Sequence, residues 1–169
     1  FEVADNFMLV SGGTASTVSW FGGYDGSVAT VDDFVINFYA DDFGSPGTLL
    51  SSFAVGNDVS RTLVGPPWSY PFKYTASISM PFLAAETYYL SIVNNTVGED
   101  VNAWFWGSSP FLDDAYTRLG GFPWEPAFFG MDLAFTLESG MSTIPEPSTC
   151  VLVGLGILGA GLQRRRRRS

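Results

Sequence analysis

The chain has 169 residues, with 17 acidic against 8 basic side chains, one cysteine and no histidine. That length suits one domain with a buried core, plus a tail. The missing histidine excludes Ser-His-Asp and Cys-His catalysis and His-based zinc or non-haem iron sites, and the single cysteine excludes an internal disulfide.

The net charge of −9 conceals two opposite regions. Only Arg61, Lys73 and Arg118 of the basic residues precede Arg164, so residues 1–163 set three positive charges against 17 negative ones, a net −14. Arg164, Arg165, Arg166, Arg167 and Arg168 then add +5. A body this acidic repels phosphate backbones, which argues against nucleic acid as a partner and suits an exported protein or one that holds divalent cations.

The opening "FEVADNF" has neither an initiator Met nor a basic-then-apolar leader, which fits a signal peptide removed upstream or a fragment. From there the body follows the strand period of two. Val3–Val10 is a weak strand candidate, Ser16–Phe21 a clearer one, and "FGGYDGS" reads as the turn that follows. In Phe34–Ala40 the side chains of Phe34, Ile36 and Phe38 share a face; "DDFGSPG" is a turn, and Leu49–Val55 the next strand. The best alternation is Tyr70–Met80. Tyr70, Phe72, Tyr74, Ala76, Ile78 and Met80 fall on one side, and Pro71, Lys73, Thr75, Ser77 and Ser79 on the other. Pro71 cannot donate to a ladder, so it predicts an edge strand or a bulge. Tyr88–Val93, Ala103–Trp106 and Met131–Leu137 complete the set, and Gly/Pro-rich turns separate them. About eight short antiparallel strands predict an all-β fold: a single antiparallel β-sandwich, jelly-roll-like, over residues 1–139. A linker follows at 140–149, then a short hydrophobic helix at 150–163 and the arginine-rich end at 164–169.

Two kinds of loop residue invite chemistry. Acidic doublets stand at Asp32-Asp33, Asp41-Asp42, Glu99-Asp100 and Asp113-Asp114. A glycosidase needs two carboxylates flanking one bond, and none of these forms a recognisable catalytic pair, so a hydrolase is the second alternative reading. Calcium is the better use of loop oxygens, with Asp25 in "YDGS" and Asp41 and Asp42 in "ADDFGSPG" as candidate ligands. The aromatic side chains are the second kind. Trp68 in "GPPWSYP", Trp124 in "GGFPWEP", and Trp20 and Tyr24 around "WFGGY" either stack against sugar rings or fold back as lids over the sandwich.

The tail is the most specific stretch. From Cys150 to Leu162 the run is uncharged and holds four glycines. As a helix it would span about 20 Å, short of the ~30 Å hydrocarbon core of a bilayer, and the arginines after it would hold that end on the cytoplasmic side. Pro145, Glu146 and Pro147, then Ser148, the apolar run and the arginine cluster together resemble a PEP-CTERM sorting signal. The resemblance implies recognition by exosortase, a membrane-embedded cysteine peptidase or transpeptidase. It implies export in a Gram-negative, exopolysaccharide-making bacterium, with transient anchoring in the inner membrane and processing near Pro-Glu-Pro. The body is similar, more loosely, to uncharacterised β-sandwich domains that precede such tails. The expected protein is therefore a non-enzymatic surface or matrix protein associated with exopolysaccharide. The first alternative is a carbohydrate-binding module of the envelope.

Overall fold

The computed structural model describes residues 1–25, 31–65, 71–96, 104–109, 115–127 and 132–139. Among these residues the chain forms thirteen strands and no helix, so none long and apolar enough to cross a membrane. The strands are β1 (Glu2–Met8), β2 (Gly13–Tyr24), β3 (Phe34–Asp41), β4 (Pro46–Gly56), β5 (Ser60–Leu63), β6 (Phe72–Leu83) and β7 (Thr87–Asn94). After them come β8 (Trp104–Trp106), β9 (Ser108–Ser109), β10 (Tyr116–Arg118), β11 (Glu125–Pro126), β12 (Asp132–Leu133) and β13 (Phe135–Glu138).

The strands pair antiparallel throughout the described residues. One sheet runs β11-β10-β1-β7-β3-β4; the other runs β13-β2-β6-β5 with β8 also on β2; β9 and β12 form a separate pair. The two large sheets face each other across one aromatic core. Trp20 from β2 stacks on Tyr74 from β6, and both meet Phe34 of the opposite sheet edge-on, with ring centroids 5.1 and 5.0 Å away. Phe7 fills the other end, edge-on to Phe38 and Phe135. Offset and edge-on contacts suit aromatic quadrupoles, so this core gains more than its buried area alone.

The alternation expected in β6 is observed. Tyr74, Ala76 and Met80 are buried while Ser77 and Ser79 are exposed. Phe34, Ile36 and Phe38 are likewise fully buried on the inner face of β3. Three local expectations need correction. Pro71 lies just before β6, which is an inner strand between β2 and β5, so it marks neither an edge nor a bulge. Its missing N–H is not called on there, and its carbonyl accepts the N–H of Val64 and Gly65. "FGGY" is not a turn: β2 continues through it to Tyr24. A Cβ on Gly22 would lie 2.7 Å from the Phe105 carbonyl oxygen and 2.8 Å from the Trp104 ring, so this glycine admits β8 beside β2. The run to Leu137 is split at Ala134, where the chain leaves β9 and joins β2.

Candidate functional site

The outer face of the six-stranded sheet should be wet by simple alternation, yet it is covered. Tyr39 and Tyr89 are buried on it over the small side chain of Ala4, and Tyr116 and Trp124 pack against them. Tyr39 meets Trp124 edge-on at 5.5 Å, and Tyr89 meets Tyr116 at 5.6 Å. The Arg118 guanidinium lies 4.3 Å from the Trp124 ring centre and 5.3 Å from that of Tyr39, a double cation–π contact.

Glu2 organises this face. Its Oε1 accepts hydrogen bonds from Asn37 Nδ2 (3.1 Å), Tyr39 Oη (2.8 Å) and Ser91 Oγ (2.8 Å), and its Oε2 accepts from Arg118 Nε (2.7 Å). A second guanidinium nitrogen, Nη2, sits 2.6 Å from Oε2 and also donates to Tyr39 Oη at 2.8 Å. Burial pushes the Glu2 carboxyl up, but the bonds from Ser91, Tyr39 and Arg118 and the Arg118 charge outweigh it, and the net shift is downward. Tyr39 is pushed up by burial and by the Glu2 carboxylate. The register explains the convergence: Glu2 pairs with Arg118 across β1 and β10, and Asn37 pairs with Ser91 across β3 and β7.

A second polar cluster ties the two sheets together at one end. Asp32 is buried and accepts from Tyr24 Oη and from Arg61 Nη1 at 3.0 Å, while its N–H bonds to Asn57 Oδ1. Asn94 Nδ2 completes it on the Tyr24 hydroxyl at 2.8 Å. Two of the three cations in the acidic body thus act as clamps, one in each cluster.

An open cavity of about 610 Å³ lies at the Phe7 end of the core, lined by apolar residues including Phe7, Phe135 and Leu137 and by Asp132. Beneath it Asp5 is fully buried, and its carboxyl is spent on the backbone N–H groups of Asn6 and Leu133. Burial, reinforced by Asp132, raises it from the ordinary aspartate value of 3.8 to about 7 despite those donors. A carboxyl that holds its proton near neutrality has the acidity of a general acid, but Asp5 has no exposed atom to offer a substrate.

The sequence-derived site residues divide accordingly. Trp20 is fully buried and Tyr24 is 5% exposed with its hydroxyl held by Asp32, so neither presents a ring to a ligand; both are core. Trp124 is half-buried on the outer sheet face. Asp25, Asp41 and Asp42 are exposed, and among the described residues no three carboxylates converge as a metal site. Asp41 instead accepts the Gly44 N–H at 3.1 Å, bracing its turn. Trp68, Glu99-Asp100, Asp113-Asp114, Pro145, Glu146, Pro147, the apolar run at 150–163 and Arg164 to Arg168 lie outside the described residues. Sequence reasoning missed Glu2 and Arg118. The scarcity of cations before Arg164 was the available signal, since a lone arginine among many acids is readily recruited as a clamp.

Comparison with known proteins bears on the tail. The family model of the PEP-CTERM protein-sorting motif matches residues 143–168, and the chain carries that sorting signal. The signal implies an exported surface protein sorted by exosortase through a membrane-anchored stage. No curated protein and no solved structure matches the chain.

Proposed function

We propose that the β-sandwich is a non-enzymatic module that associates with exopolysaccharide in the outer envelope or extracellular matrix, after exosortase has processed the tail. The observation that carries this reading is the sorting signal at residues 143–168, which follows the last described strand with only a short linker between. The disposition of the ionisable groups supports the non-enzymatic part. Glu2, Asp32, Arg61 and Arg118 are consumed in structural ion pairs, and Asp5 in backbone hydrogen bonds. The outer face of the six-stranded sheet adds half-buried Tyr116 and Trp124 beside polar side chains, which suits binding to sugars.

The test is where the protein resides in its host. In a strain that makes its polysaccharide, the protein should fractionate with the matrix. In an isogenic strain unable to make that polysaccharide, it should appear in the medium. Equal partitioning in both strains would refute the association, and turnover of a glycan by the purified chain would refute the non-enzymatic reading.

A further inference from the structure

The β3–β4 hairpin turns in two residues. Asp42 and Ser45 exchange both backbone hydrogen bonds, at 2.8 and 3.3 Å, and the residues between them both have positive φ: 53° at Phe43 and 86° at Gly44. This is the type I′ turn, whose twist matches the flanking strands and whose central positions favour Asn, Asp or Gly. Gly44 fits that preference. Phe43 does not, because a bulky side chain with positive φ crowds its own backbone. Burial gives nothing back, since the Phe43 side chain is completely exposed.

The turn is also aimed. Tyr116 Oη donates to the Gly44 carbonyl, which fastens the hairpin tip to β10 although β1 and β7 lie between the two in the sheet. Phe43 therefore stands one residue from the carbonyl that Tyr116 holds, on a hairpin tip tied to the aromatic outer face. Asp41 and Asp42 beside it are exposed. A strained backbone that holds an apolar ring in water lowers stability, and strained positions of this kind cluster at ligand-binding sites.

We infer that Phe43, on the hairpin tip that Tyr116 anchors, is a stacking subsite for an uncharged polysaccharide. Sugar rings offer apolar C–H faces that lie on flat aromatic rings, and their hydroxyls donate to carboxylates such as those of Asp41 and Asp42. A polyanionic chain, or an anionic lipid surface, would meet the net −14 of the body. This inference rests on the polysaccharide reading above and locates it on the molecule.

The experiment uses the full chain and two variants, Phe43→Asn and Phe43→Trp. Asparagine suits the turn and removes the ring; tryptophan keeps a ring. The probes are host exopolysaccharide, separated by anion exchange into uncharged and anionic fractions, and phosphatidylcholine vesicles. Wild type should bind the uncharged fraction. Phe43→Asn should bind it about tenfold more weakly, the scale of one aromatic stacking contact. Its melting temperature should be unchanged or higher, and Phe43→Trp should keep the affinity. Wild-type affinity in Phe43→Asn would overturn the subsite and leave the polysaccharide reading standing. Binding of wild type to neither fraction would overturn both. A preference for the anionic fraction that Phe43→Asn abolishes, or Phe43-dependent binding to vesicles instead of glycan, would also overturn the inference.

Discussion

Replacing Glu2 with Gln should destabilise the domain more than its position at the start of the first strand suggests. The carboxylate accepts from Asn37, Tyr39, Ser91 and two nitrogens of Arg118. Glutamine keeps one oxygen for the first three, but turns an amide NH2 toward the guanidinium and loses both charge-assisted bonds. Bonds to charged groups are worth about 1.5–3 kcal/mol each, and the side chains here are only 14% and 26% exposed. After discounting for that residual solvent, roughly 2–3 kcal/mol should be lost in all. Arg118→Met leaves Glu2 three donors and keeps an apolar stem over Trp124, so it should cost about 1–2 kcal/mol. The double variant should cost less than the two singles together, because no guanidinium is then left facing the new amide. Urea unfolding at pH 7 reads this directly: with a slope of about 1–3 kcal/mol per molar, Glu2→Gln moves the midpoint by about 1 M. The pH dependence has a fixed sign. The Glu2 carboxyl titrates below its ordinary 4.5 in the folded protein, so its stabilisation is complete above that value and lost as pH falls through the lowered one. The gap between wild type and Glu2→Gln should therefore close in acid. A variant within about 0.5 kcal/mol of wild type at pH 7, inside the usual range of a plain surface change, would refute the network as a stabilising unit. So would a gap that persists unchanged in acid.

Asp5 should act in the opposite direction. Its folded value is raised to about 7, so its contribution is complete below 3.8 and lost as pH rises through about 7, at up to about 1.4 kcal/mol per pH unit in that window. Thermal melts of Asp5→Asn between pH 5 and 8 should show a flatter profile than wild type, and parallel profiles would contradict the assignment. Trp20→Ala removes a fully buried indole and should cost about 3–5 kcal/mol, whereas Trp124→Ala, half-buried under Arg118, should cost about 1–3 kcal/mol. Denaturant titration of both orders them, and equal losses would mean that the outer face is packed as tightly as the core.

What the sequence disclosed follows from the range of the forces involved. Period-two alternation is local, so β3, β6 and β7 were legible, down to which side of β6 faces inward. Gly22 and Gly23 between them give Trp20 and Tyr24 the local signature of loop aromatics. Glycine marks a turn in most contexts, and here it makes room for β8 instead. The Glu2–Arg118 pair spans 116 residues and depends on β10 adding to β1, a choice that no local pattern encodes. Strands of two or three residues such as β10 and β11 carry too few positions to show a period. Phe43 illustrates a different limit. "DDFGSPG" announces a turn, but only the backbone geometry shows that its phenylalanine occupies a left-handed position. The sorting signal was legible because its recognition depends on linear sequence rather than on the fold.

Sorting by exosortase rests on that signal, and the intact mass of the protein recovered from the surface of its host tests it most directly. Processing near Pro145-Glu146-Pro147 predicts a mature chain that lacks Arg164 to Arg168 and the apolar run before them. A surface population that keeps all five arginines would contradict sorting by exosortase and leave an ordinary membrane-anchored tail.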